Sequence, residues 1–213
     1  MSSNPWVKSP HRGGETGETE ATSAVAPTPV VVAEAAPLMP QAATVPSPSR
    51  GLPRRSPHVA RGTVALWWVG VHGGAGESTL EQLLEGSRAM GHAWPRAEAG
   101  ESELPNVILV ARTSAHGLRS AQLAATEWAS GDVAVNLHGL VLIADAPGRL
   151  PKPLKDFAQV VAGGVPRVWR LPWVEDWRQG EPVSADTAPK RIVAFLDELR
   201  AFHFAAPRPL PTP

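Results

Sequence analysis

Cysteine and tyrosine are both missing from this chain of 213 residues. Without cysteine there is no disulfide framework, no zinc finger, no iron–sulfur site and no thiol nucleophile. Neither sign of charge is in excess, since Lys plus Arg and Asp plus Glu each number 20. Net charge therefore points to no particular partner. The chain has no apolar run of the ~20 residues that a membrane helix needs. Residues 1–14 carry no apolar segment of the signal-peptide kind, so neither a membrane partner nor secretion is expected, and the expected compartment is the cytoplasm. Seven histidines, at 11, 58, 72, 92, 116, 138 and 203, do not repeat at metal-ligand spacing.

Proline and tryptophan are what the chain has in quantity, and they are segregated. Residues 1–61 hold ten of the 23 prolines, whereas 62–202 hold nine prolines and seven of the eight tryptophans. The Pro/Ala/Ser-rich stretch cannot bury enough apolar area to offset its ordering entropy. This predicts a disordered arm over 1–61, one domain over 62–203 and a disordered Pro-rich tail over 204–213. Val30–Val32 is either a chance cluster in that arm or a short docking motif for a partner.

Within the domain, Thr63–Val69 is apolar without alternation, as in a strand buried on both faces. Gly70–Gly76 is glycine-rich. A helical stripe follows with Leu80, Leu83, Leu84 and Ser87, ended by Gly91. His92–Pro95 has the look of a short strand. Asn106–Arg112 is a second clear strand, with Thr113 and Ser114 as caps for a helix over 116–130. Leu137–Ala144 is a third strand, closed by the turn Asp145–Gly148. A helix over 152–162, a strand over Arg167–Leu171 and a helix over about 188–202 complete the pattern. Strands alternating with helices predict an α/β fold of three layers, with a mostly parallel sheet between helices. Trp67, Ile108, Leu142, Phe157, Trp169, Phe195 and Leu196 are its expected core. Ligands in such sheets bind beyond the strand C-terminal ends, where Gly70–Gly76 and Asp145–Gly148 should lie.

Strand, glycine loop and helix in that order are the parts of a phosphate cradle. Against G-x-x-x-x-G-K-[ST], Gly76 and Ser78 match, while Val71 and Glu77 replace the first glycine and the lysine. The stretch Val71–Thr79 resembles the deviant Walker A loop of MinD/ParA-type P-loop ATPases: Gly73, Gly74, Gly76, Ser78 and Thr79 match, and His72 and Glu77 stand where that family has lysines. Val110–Gln122 and Arg170–Trp173 resemble later parts of the same family. More narrowly, His72–Leu80, Asp145–Pro151 and Trp169–Val174 resemble an uncharacterised family of short P-loop-like proteins from high-GC actinobacteria. The resemblance implies a phosphate loop built from Gly73, Gly74, Ala75, Gly76, Glu77, Ser78 and Thr79. It implies ATP with Mg²⁺ as the ligand, with Ser78 on the metal if nucleotide binds. The family's Walker B strand belongs between the first helix and the 106–112 strand. That interval is short here, and Asp145, further on, is either a relocated metal-side carboxylate or a turn residue.

Charge opposes ordinary ATP hydrolysis. Six acids (Glu77, Glu81, Glu85, Glu98, Glu101, Glu103) and two bases (Arg88, Arg96) lie between Gly70 and Pro105. A like charge 4 Å from a phosphate costs about 1–4 kcal/mol at effective dielectrics of 80 to 20. Three roles stay open for Glu77: a first-turn acid on the helix dipole, a carboxylate folded back to fill the loop's own anion site, or a ligand in an unusual nucleotide site. Between 146 and 178, six bases interleave with Trp169, Trp173 and Trp177; a single-strand nucleic-acid surface and an ordinary solvated face both fit. Trp173 and Trp177, if exposed together, form a partner patch. No catalytic triad emerges around Ser78, Ser114 or His116, and no catalytic residue is assigned. The function expected is a non-hydrolysing, degenerate MinD/ParA-like domain that acts as an interaction or regulatory module with a protein partner, linked to a mobile element or plasmid partition. The alternatives are an ATPase switch, in which His72 or an arginine replaces the lost lysines, and a DNA-associated partition factor.

Overall fold

Every residue of strand β2 (Leu66–Gly70) is buried, because helices cover both faces of the sheet it belongs to. The computed structural model describes residues 45–57, 64–96 and 104–203, all within one compact unit. Of the arm expected over 1–61, residues 1–44 and 58–61 lie outside the described residues, as do Val30–Val32 and the tail expected over 204–213. After β2 come helix α1 (Glu77–Leu83), strand β3 (Ser87–Gly91), strand β5 (Asn106–Arg112), helix α2 (Ala115–Ala129), strand β6 (Asn136–Ile143), helix α3 (Lys152–Ala162), strand β7 (Val168–Leu171), the short α4 (Glu175–Arg178) and α5 (Lys190–His203). Two-residue strands β1 (Arg54–Arg55) and β4 (Trp94–Pro95) stand apart from the main sheet.

The main sheet has the order β3-β2-β5-β6-β7 with every pairing parallel. Side chains alternate between its faces. Trp67, Val69, Leu109, Leu140 and Leu142 join Leu118, Ala121, Trp128, Ala158 and Val161 of α2 and α3 in one core. Trp68, Ile108, Val110 and Val141 join Leu80, Leu83, Ile192, Phe195 and Leu196 of α1 and α5 in the other. The three-layer α/β architecture expected from the sequence is therefore present. The order, renumbered along the sheet strands alone, is 2-1-3-4-5, one of the two common doubly wound arrangements, and its direction reverses between β2 and β5. Ligand crevices in such sheets open beyond the C-terminal ends of those two strands. Among the described residues no helix is long and apolar enough to cross a membrane.

Three expectations need correction. The first helix does not run to Gly91. Leu84 is already extended and Gly86 takes φ 75°, which only glycine adopts cheaply. Ser87, counted above in a helical stripe, opens edge strand β3 instead: its hydroxyl donates to Leu84 O at 2.6 Å and accepts the Trp68 indole N–H at 2.8 Å. Secondly, Phe157 and Trp169 are only half-buried, because α3 and edge strand β7 each have one side to solvent. Trp169 is covered by Phe195, with ring centroids 5.7 Å apart. The remaining five expected core residues are buried.

Thirdly, residues 45–57 are bound to the domain, although their composition suggested otherwise. β1 pairs in parallel with β4, Arg54 facing Trp94. Glu127, buried on α2, accepts the Leu52 N–H at 2.9 Å and the Trp94 indole N–H at 2.8 Å, and lies 3.5 Å from Arg54. A proline-rich sequence gives no periodicity that would reveal such an anchor. Glu127→Ala leaves the buried Trp94 indole N–H and the half-buried Leu52 N–H without their acceptor, at a cost of about 1–3 kcal/mol. Urea unfolding should register that loss, and trypsin should cut faster at Arg54 and Arg55. Unchanged stability and unchanged cleavage would show that the segment is held by something else.

Candidate functional site

The backbone of the 71–76 loop is shaped by its glycines and by His72. Val71 N–H extends the ladder to Val110 O at 3.0 Å, and Ala75 N–H turns back onto His72 O at 3.2 Å. Gly74 and Gly76 take φ of 73° and 108°, conformations that other residues resist. The His72 ring donates from Nδ1 to Gly73 O at 2.9 Å and accepts the Arg112 N–H on Nε2 at 3.0 Å. Both bonds require the neutral ring with its proton on Nδ1. His72 therefore braces the loop against β5. The bracing is tight: a Cβ on Gly117 would lie 2.2 Å from Arg112 O and 2.8 Å from His72 Nε2. Ser114 caps α2 there, accepting the Gly117 N–H at 3.1 Å.

Glu77 turns inward, and its residue is only 8% exposed. Oε2 accepts the Gly76 N–H at 3.1 Å. The carboxylate lies over Gly70, where an added Cβ would sit 2.6 Å from the carboxyl carbon. His92 donates from Nδ1 to Gly70 O at 3.0 Å, and that nitrogen is 3.7 Å from Glu77 Oε1. So the loop's Ala75 and Gly76 amides are both satisfied by the chain itself, the second by an anion.

Arg112, at the end of β5, is the residue that sequence reasoning missed. It donates from Nε to Gly74 O at 3.3 Å and from Nη1 to Ala144 O at 3.0 Å, strapping the loops after β2 and β6 together. Burial lowers its pKa, opposed by the charge of Asp145. The available signal was an arginine ending an apolar strand at the point where the strand order reverses.

The other expected residues are dispersed. Gly73, Gly74 and Ser78 are exposed and Ala75 is buried. Thr79 and Gly76 border a cleft of about 180 Å³ with Arg112, Trp173, Trp177 and Arg178. Trp173 and Trp177 are half-buried there and form no open patch. The Trp173 indole N–H donates to Glu175 at 2.6 Å, and this bond holds the Glu175 carboxyl below its usual pKa. Asp145 is exposed, its backbone N–H bonded to Thr113 Oγ1 at 3.1 Å, and it lines a separate cleft of about 440 Å³. Among the described residues no three His, Asp or Glu are grouped to hold a metal ion.

A family model covers residues 64–195, more than half of the chain. The chain belongs to the DUF6668 family of unknown function. The DUF6668 region takes in the glycine loop, Arg112 and both clefts, and leaves β1 outside it. No curated protein and no solved structure matches the chain.

Proposed function

We propose that this DUF6668 chain is a non-hydrolysing domain of MinD/ParA-like ancestry whose phosphate loop is occupied by its own Glu77, and that it acts as an interaction or regulatory module. The observation that carries this reading is the buried Glu77 carboxylate accepting the Gly76 N–H at the end of the loop. An entering phosphate has to displace a buried carboxylate and then meet its charge. The residues present do not fit ATP with Mg²⁺ as they stand. The lysine is missing, His72 is spent on the backbone, and the cleft beside Gly76 measures about 180 Å³, below the ~300–1,000 Å³ of small-molecule sites. Strand β3, in the interval where the resembled ATPases keep a metal-binding acid, ends at Gly91 and is followed by His92.

The test uses the wild-type protein with ATP, with and without Mg²⁺, in a calorimeter and in a phosphate-release assay. No Mg²⁺-dependent turnover above background is expected. Turnover at any rate that a Ser78→Ala change abolishes would overturn the reading in favour of an ATPase switch, and tight DNA binding that weakens steeply with salt would favour a partition factor.

A further inference from the structure

The 440 Å³ cleft beyond β6 and β7 is separate from the glycine loop and is lined by three arginines from three elements: Arg149 in the loop after β6, Arg170 in β7 and Arg191 in the first turn of α5. None of the three guanidiniums has a hydrogen bond or ion pair among the described residues, whereas those of Arg112, Arg88 and Arg200 all do. Asp145 is the one carboxylate lining the cleft, and it faces Arg112 as well. Helix formation does not explain the placement of Arg191, because a cation in a first turn opposes the helix dipole, and α5 has no acid there. Helix α3 likewise opens onto the cleft without an acid in its first turn and without a side-chain cap. Leu150, Leu154, Leu171 and Pro172 supply an apolar wall.

The geometry points to a binding site for a small organic dianion: a phosphate-like head between Arg149, Arg170 and Arg191, with an apolar group against the leucine wall. Three guanidiniums against one carboxylate leave a surplus of two positive charges, which a dianion neutralises. Planar guanidinium forks suit phosphate and carboxylate oxygens. The volume lies within the range of small-molecule sites.

The experiment titrates the full chain with phenyl phosphate, inorganic phosphate and benzyl alcohol by calorimetry. Phenyl phosphate should bind saturably and more weakly as salt rises. Arg170→Ala and Arg191→Ala should each weaken it by about tenfold or more, and Arg170→Gln should repeat the loss with the side-chain bulk largely kept. Arg200→Ala, on the same helix but paired with Asp197, should leave it unchanged. Equal binding of benzyl alcohol, indifference to the arginine changes, or no binding of phenyl phosphate would each overturn the proposal. Equal binding of inorganic phosphate would overturn the part assigned to the leucine wall. Glu77→Lys separates this site from the glycine loop: it should leave phenyl phosphate affinity unchanged, and a rise would put the anion at Gly73–Gly76 instead.

Discussion

Glu77→Lys is expected to raise the affinity for ATP by about 30- to 1,000-fold. The substitution removes a repulsion and adds an attraction close to the phosphates, together about 2–4 kcal/mol. It also frees the Gly76 N–H, which Glu77 now occupies at 3.1 Å. Glu77→Gln divides the effect. The amide keeps the shape and still accepts from Gly76, but it carries no charge, so its gain should be the smaller part. Gly70→Ala acts on the same carboxylate from the other side, since the new methyl would lie 2.6 Å from the Glu77 carboxyl carbon and force it outward. Titration with a fluorescent ATP analogue ranks the proteins. Strong wild-type binding that the lysine weakens would make Glu77 a working ligand. No binding by any of them would reduce the loop to a strand–helix connector.

The elements that were legible in the sequence are those whose pattern is set by burial. Asn106–Arg112 and Lys152–Ala162 fall where apolar continuity and 3.6-residue spacing put them. The α1 stripe misled because Leu80, Leu83 and Leu84 do share one core, while Gly86 and the Ser87 hydroxyl break the helix behind them. A buried serine serving a tryptophan from the neighbouring strand leaves no periodic trace. The β1 segment was hidden for a similar reason: its anchor, Glu127, lies 75 residues from Leu52, in a helix face that otherwise reads as apolar. At the candidate site, chemistry could be read from the loop's composition but geometry could not. That Glu77 turns in depends on Gly70 having no side chain and on His92, 22 residues from Gly70, closing the far side. The three-arginine cleft escaped because Arg191 comes from a different helix than the basic run at 146–178. Only the sheet order brings them to one end of the fold.

Leu142→Ala should lower the stability of the domain by about 2–5 kcal/mol, the range for truncating a large aliphatic side chain in a packed core. Leu142 is fully buried in β6, opposite Ala111 of β5 and Arg170 of β7. It has a strand on each side and belongs to the core shared with α2 and α3, so little can move in to fill the space. Against a typical total of about 5–15 kcal/mol, the loss is large enough to shift the urea midpoint while the slope, set by the area exposed on unfolding, stays the same. Val160→Ala is the internal control. That side chain is 66% exposed on α3 and should cost no more than about 0.5 kcal/mol. A stability loss under about 1 kcal/mol, no larger than that of the control, would mean that β6 lies at an edge of the sheet. The order β3-β2-β5-β6-β7, and with it the cleft beyond β6 and β7, would then be wrong.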